Sequence, residues 1–215
     1  MTEPLLTVLN YSGGKQSSRL LWGVLRNEIP VDRDHFVVLN ADPGMENSGT
    51  YVYIKMMEGL CAEMGITFIR VPGPNLYQDI LTLHQRRAKR LDNPPYWTKD
   101  RVTGKRGRLK QKCTYIYKIA PMDRAIRILL EEKWGISRKS KRVGVGSVVK
   151  WIGFSYSEIE RIKPPKQKYI VFRYPLIDLK ETNADVLEYY RRNNLPIPPR
   201  SVCNACFANG LSTLK

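Results

Sequence analysis

An apolar run at residues 5–10 stops at the glycine pair Gly13 and Gly14, and helical spacing begins within a few residues of it. A short run without polar alternation is how a parallel strand buried on both faces reads. Leu20, Leu21, Val24 and Leu25 then fall on one helical face, which predicts a helix over 17–26. The pattern recurs: a strand at 35–40, a turn at Ala41-Asp42-Pro43-Gly44, a helix over about 50–64 closed by Gly65, and a strand at 66–71. Strand and helix in strict alternation predict an α/β fold with a doubly wound, mostly parallel sheet. A nucleotide-type ligand is then expected at the carboxyl ends of the strands.

Farther along, the spacing predicts a helix over 117–133, a strand over 148–153 and a short helix over 157–163. It also predicts an extended segment over 169–174, a helix over 183–193 and an irregular tail from Pro196 to Cys206. The rhythm breaks over 86–112. That stretch holds eleven Lys and Arg against two Asp, a net charge of +9, and no apolar stripe. It reads as an excursion or flexible basic loop. With 215 residues the chain is one generous domain with a small appendage. We expect a nucleotide-binding α/β domain at 1–195, including the excursion, and a C-terminal cysteine segment at 196–215.

The residues 11–18, Tyr-Ser-Gly-Gly-Lys-Gln-Ser-Ser, lie between the first strand and the first helix. Glycines let successive N–H groups face inward, and the helix amino terminus behind them adds positive potential. Ser12, Ser17 and Ser18 supply hydroxyls and Lys15 a full charge, so the product is a cradle for phosphates. It is not a Walker A loop, whose G-x-x-x-x-G-K-[ST] spacing is missing. A plain glycine turn with a serine cap would share this spacing.

Cys203 and Cys206 are two residues apart, and Cys113 precedes them by about ninety. Such a pair can bind zinc, ligate an iron–sulfur cluster, act as a redox couple or be two structural thiols. Cys61, inside an apolar helix, reads as core. Four cysteines are no disulfide scaffold. The chain has no apolar run near the length of a spanning helix, and Met1-Thr2-Glu3-Pro4 has no basic leader region. Together these predict a cytoplasmic protein with reduced thiols and no membrane partner.

Several segments, in order, resemble the PAPS-reductase-like branch of the adenine-nucleotide α-hydrolase (PP-loop ATP pyrophosphatase) superfamily. Residues 12–18 are similar to its Ser-Gly-Gly-x-Asp-Ser loop, and Asn40-Ala41-Asp42-Pro43-Gly44-Met45-Glu46 to its Asp-Thr-Gly-x-Glu element. Gln111-Lys112-Cys113-Thr114 through Lys118-Ile119-Ala120-Pro121 resembles its Arg-Gln-Cys-Thr…Lys-Ile-x-Pro segment. Ile152-Gly153-Phe154-Ser155 with Glu158, then Tyr174-Pro175-Leu176 and Ser201-Val202-Cys203-Asn204-Ala205-Cys206, resembles its C-terminal series. Two departures stand out: Gln16 replaces the loop Asp, and Pro43 replaces a Thr.

The resemblance implies ATP and Mg2+ as cofactors. Ser12, Gly13, Gly14, Lys15, Gln16, Ser17, Ser18, Asp42 and Gly153 would form the nucleotide site, with Lys15 and Asp42 as its catalytic residues. Cys113, Cys203 and Cys206 resemble the three-cysteine ligand set of a [4Fe–4S] cluster in some thiolation enzymes of the superfamily. Zn2+ would need a fourth ligand, and neither His35 nor His84 has ligand spacing to the cysteines. The activity implied is adenylyl transfer with release of pyrophosphate, followed by sulfur transfer from a sulfur donor. The Glu-Cys-Gly-x-His-type tail of true PAPS reductases is absent, which makes sulfite formation the weaker enzymatic reading.

The net charge of +16, from 36 Lys and Arg against 20 Asp and Glu, calls for a polyanionic partner, and nucleic acid (DNA or tRNA) is the first candidate. In the excursion, Arg101, Lys105, Arg106 and Arg108 would contact phosphates, and Tyr96 and Trp97 would stack on unpaired bases. A catalytically weak nucleotide- and nucleic-acid-binding subunit of a modification or defence complex is the alternative from another class. A homodimer stays open.

Overall fold

The computed structural model describes residues 4–83, 97–108, 112–137, 143–201 and 203. Its elements run β1 (Leu6–Asn10), α1 (Lys15–Leu25), β2 (Phe36–Ala41), α2 (Ser48–Glu63), β3 (Thr67–Val71) and α3 (Leu76–Leu83). Next come β4 (Trp97–Lys99), β5 (Arg106–Arg108), α4 (Ala120–Trp134), β6 (Val148–Trp151), β7 (Ile170–Arg173), α5 (Pro175–Asp178) and α6 (Asn183–Arg192). A π-helical turn at Tyr115–Ile119 leads into α4, and a 3-10 turn at Tyr156–Arg161 follows β6. Among the described residues no helix is long and apolar enough to cross a membrane.

Five strands form one sheet in the order β3-β2-β1-β6-β7. β1 runs parallel to both β2 and β6, and β6 runs parallel to β7. The expected α/β architecture is therefore present. Its centre is apolar on both faces: every residue of β2 is buried, and Leu6, Val8 and Leu9 of β1 are fully so. The chain winds outward from β1 through β2 to β3, then returns to the other side of β1 through β6 to β7. The topological switch point therefore lies between β1 and β6, where ligands of open α/β sheets bind.

By packing, the chain divides into two compact units. The first is Met1–Asn40, Ser48–Arg70 and Ile126–Ser201; the second is Ala41–Asn47, Val71–Ala125 and Val202–Lys215. The core of the first unit clusters Leu9, Tyr11, Leu20, Leu21, Val24, Phe36, Ile54, Met57 and Tyr190. Cys61 is fully buried in it, as the sequence suggested, and desolvation pushes its thiol up to about 12.

Four elements differ from the sequence reading, the short helix α5 among them. Helix α3 went unforeseen; Asn75 starts it, its Oδ1 accepting from the Gln78 amide at 3.0 Å. The helix expected from Tyr117 begins with π-helical bonding. Pro121 supplies no N–H for the carbonyl four residues back, and the Ala120 amide reaches five residues back, to the Tyr115 carbonyl. Within the basic excursion, 97–108 is an antiparallel ribbon rather than featureless loop. The excursion residues 86–96 and 109–111 lie outside the described residues.

Candidate phosphate site

The loops that leave β1 and β6 meet at the switch point. Gly153, two residues past β6, lies against the amino end of α1: a Cβ there would come 2.8 Å from the Ser17 amide nitrogen and 3.0 Å from its Cα. Gly153 thus acts through close backbone approach, which places the two loops side by side. Gly13 sits at φ +72°, where a Cβ would come 2.7 Å from Ile54 Cγ1 and 3.0 Å from Thr50 Cγ2. A Cβ on Gly14 would stand 3.3 Å from that of Ser201. Ile54, Thr50 and Ser201 are loop neighbours that the sequence reading did not single out, because their approach is tertiary.

The serines brace the loop from within. Ser12 Oγ and Ser17 Oγ are 3.2 Å apart, the Ser12 amide donates to Ser17 Oγ at 3.3 Å, and Ser17 Oγ donates to the Gly14 carbonyl at 3.2 Å. Ser18 Oγ and Tyr11 Oη are 3.1 Å apart and buried. Desolvation raises the pKa of the Tyr11 phenol, so it keeps its proton. Ser18 is thus drawn into the core, whereas Ser12 is exposed, its Oγ also accepting from the Gly14 amide at 3.4 Å.

α1 begins at Lys15 with no side chain capping its first turn and no acidic residue there. Its first amide N–H groups lack intrahelical acceptors, and the positive end of its dipole is not offset from within the helix. The Lys15 ammonium adds a charge beside them, and among the described residues no ion pair engages it. Tyr190 of α6 donates to the Lys15 carbonyl at 2.7 Å, fastening this end of α1 from outside. Such an arrangement suits an anion with several oxygens.

Gln16 is half-buried. Its Nε2 donates to Asn183 Oδ1 at 2.9 Å and to Glu158 Oε2 at 3.4 Å. Glu158 in turn closes a capping box with Ser155 and pairs with Arg161. Ser155-x-x-Glu158 is a legible helix-start signature; Asn183 gave no signal that it would meet Gln16.

The remaining expected residues belong to the second unit. Asp42 is exposed, and its Oδ1 accepts from the Gly44 amide at 2.7 Å. Gly44 sits at φ +76°, where a Cβ would come 2.2 Å from the Asn75 side chain. Glu46, nearly buried, receives the Lys118 ammonium at 2.6 Å, and its backbone bridges Cys203. Cys113 and Cys203 are both half-buried, whereas Cys206 lies outside the described residues. Among the described residues no group of three His, Cys, Asp or Glu is set to hold a metal ion.

The basic ribbon pairs Trp97 with Arg108, Thr98 with Gly107 and Lys99 with Arg106. Asp100 builds its turn: Oδ1 accepts from the Thr103 amide at 2.7 Å, the Thr103 hydroxyl at 2.8 Å and the Val102 amide at 3.0 Å. Those bonds, the Thr103 amide first, lower the Asp100 pKa. Gly104 completes the turn at φ +68°. Arg101, Lys105 and Arg106 are exposed, and Lys99 and Arg106 stand directly opposite each other. Like charges so placed weaken a ribbon unless an anion lies between or over them. Tyr96 lies outside the described residues.

No protein-family model matches the chain. No curated protein matches it. Among solved structures it is similar to the U34-tRNA thiolase NcsA from Methanococcus maripaludis with its [4Fe-4S] cluster. The likeness has 17% identity and a TM-score of 0.48, over 98% of this chain and 62% of that one. The chain spans about three fifths of that protein's length.

Proposed function

We propose that this chain is a PP-loop enzyme that binds ATP by its phosphates at the loop 12–18. It joins an acceptor oxygen, on a nucleic acid, to the α-phosphorus. The bond to the β-phosphate oxygen breaks and pyrophosphate leaves; a sulfur nucleophile then displaces AMP. The observation that carries this reading is the uncapped, acid-free start of α1, with Lys15 and the Gly13–Gly14 turn at the sheet's switch point. The ordered series of motif resemblances supports it. Lys15 would offset charge developing on the leaving pyrophosphate, and the loop amides would hold its oxygens. Asp42 is the carboxylate proposed to serve Mg2+ or a ribose hydroxyl, and the ribbon 97–108 is the proposed nucleic-acid contact.

Cys113, Cys203 and Cys206 are the proposed ligands of a [4Fe–4S] cluster. Two of the three are half-buried thiols of one compact unit, which suits cluster thiolates. Three thiolates leave one iron free to bind an external sulfide. Anaerobic purification with iron and zinc analysis tests this: about four irons per chain support it, and a single zinc overturns it.

The enzymatic reading is tested by ATP–pyrophosphate exchange. Lys15→Ala should abolish exchange; exchange at the wild-type rate in that variant would refute the role given to Lys15. A second reading, a nucleotide- and nucleic-acid-binding subunit without turnover, is favoured by one observation: Gln16 is turned away to Glu158 and Asn183. ATP binding without pyrophosphate release, with or without RNA or DNA, would select it.

A further inference from the structure

We propose that Gln16 is a positioning residue, a neutral clamp that holds the start of α1, and with it the phosphate loop, to the turn 155–161 and to α6. The inference rests on the phosphate reading of the loop. The donor is a single amide nitrogen that reaches two acceptors from different parts of the chain: Asn183 Oδ1 at 2.9 Å and Glu158 Oε2 at 3.4 Å. Both acceptors are already fixed. Ser155, fully buried, has a single hydroxyl proton to share between Asn183 Oδ1 at 3.0 Å and Glu158 Oε2 at 3.3 Å. The Ser155 amide also donates to Glu158 Oε2 at 3.3 Å, while Arg161 engages Oε1. Gln16 thus brings two N–H donors to a network in which Ser155 has one hydroxyl proton for the same two acceptors.

The neighbours on each side make the clamp specific for an uncharged donor. Glu158 is the carboxylate facing residue 16, with Arg161 on its far side, and Lys15 is the adjacent cation. A carboxylate at 16 would meet two acceptor oxygens with no proton to offer and would face Glu158 charge to charge. The Glu158 carboxylate and position 16 cannot both be acidic without loosening the join. On either side of the clamp, Gly153 approaches the Ser17 amide closely and Tyr190 holds the Lys15 carbonyl, so the join at 16 is one of three that set the loop amides. The consequence is opposite to what the motif suggests. Restoring an acidic residue at position 16 should weaken phosphate binding rather than improve it.

The test is a double-mutant cycle in the full chain with Q16E, E158Q and Q16E/E158Q. Affinity is read by calorimetric titration with ATP and with inorganic pyrophosphate, and stability by urea unfolding. Q16E should bind both probes at least tenfold more weakly than wild type and unfold at lower urea. E158Q in the Q16E background should restore affinity to within about threefold of E158Q alone, because the side-chain amide then at position 158 can donate to the carboxylate at position 16. Wild-type affinity in Q16E, or a double variant as weak as Q16E, overturns the clamp. Should wild type bind neither probe, the phosphate reading fails by itself. The clamp is then judged by the unfolding cycle, where rescue supports it and simple additivity overturns it.

Discussion

Gly13 offers the sharpest test of how the loop is built, because two independent costs fall on one methyl group. At φ +72° a Cβ suffers the left-handed penalty of about 1–2 kcal/mol. That methyl would also lie 2.7 Å from Ile54 Cγ1 and 3.0 Å from both Ile54 Cδ1 and Thr50 Cγ2. Ile54 and Thr50 are buried on α2, so neither can swing into solvent, and overpacking of this kind costs about 1–3 kcal/mol. Gly13→Ala should therefore destabilise the protein by about 2–5 kcal/mol. Gly59 is the internal control. It lies within α2 with nothing within 4 Å of an added Cβ, so Gly59→Ala should stabilise by about 0.5–1 kcal/mol through helix propensity. Urea unfolding of the two variants reads both signs in one assay. A Gly13→Ala protein within about 0.5 kcal/mol of wild type would refute the reasoning. It would mean that the turn relaxes without cost and that the loop is not held by α2.

Arg19, in α1, donates to both carboxylate oxygens of Glu181, at 2.7 and 3.1 Å, and lies 3.6 Å over the Tyr189 ring. Glu181→Ala leaves that buried cation with Glu28, at 3.6 Å, as its carboxylate partner among the described residues, and should cost about 3 kcal/mol in urea unfolding. A loss under about 1 kcal/mol would show the pair to be replaceable. Cys61, with its thiol pushed up to about 12 by burial, should resist iodoacetamide in the native protein at pH 8 and react once urea unfolds it; native labelling read by mass spectrometry would contradict its burial. If about five basic residues of the excursion contact phosphate, log affinity against log salt should slope about −3.5 for a single strand and about −4.5 for B-form duplex. Changing Lys105, Arg106 and Arg108 to Ala should lower that slope by up to about 2–3 units without altering ATP affinity, and flat salt dependence would reduce the ribbon to a solvated hairpin.

The strand–loop–helix start was readable because β2 is buried throughout and most of β1 is, and such positions are filled mainly by apolar side chains. Gly65 likewise announced the end of α2, and it adopts φ +67° there. The ribbon was not readable: Lys99, Arg106 and their neighbours face solvent, so no period of two marks them. The π turn before α4 depends on Pro121, whose effect on the carbonyl behind it appears only once the helix is placed. Gln16 hid its role for a different reason. Its partners Glu158 and Asn183 lie 142 and 167 residues away, and no local pattern carries that distance.

The carboxylates of the first unit bear on the charge at the start of α1. In a chain with a net charge of +16, several of the first unit's acids are already engaged. Glu181 is taken by Arg19, and Glu28 by Arg26 at 2.7 Å and by the Tyr189 hydroxyl at 2.7 Å. Although desolvation of Glu28 works the other way, these donors leave its pKa below the ordinary carboxylate value, so it stays charged and committed. Glu158 is taken by Arg161, Ser155 and Gln16. None of these carboxylates is left to cancel the potential at the start of α1, where Lys15, the open amides and the helix dipole all carry the same sign. On the proposed reading, the loop would favour an anion by the engagement of these carboxylates elsewhere as well as by the donors it presents. If the loop is a phosphate site as proposed, a substitution that freed one of these carboxylates toward it should weaken phosphate binding without altering the loop itself.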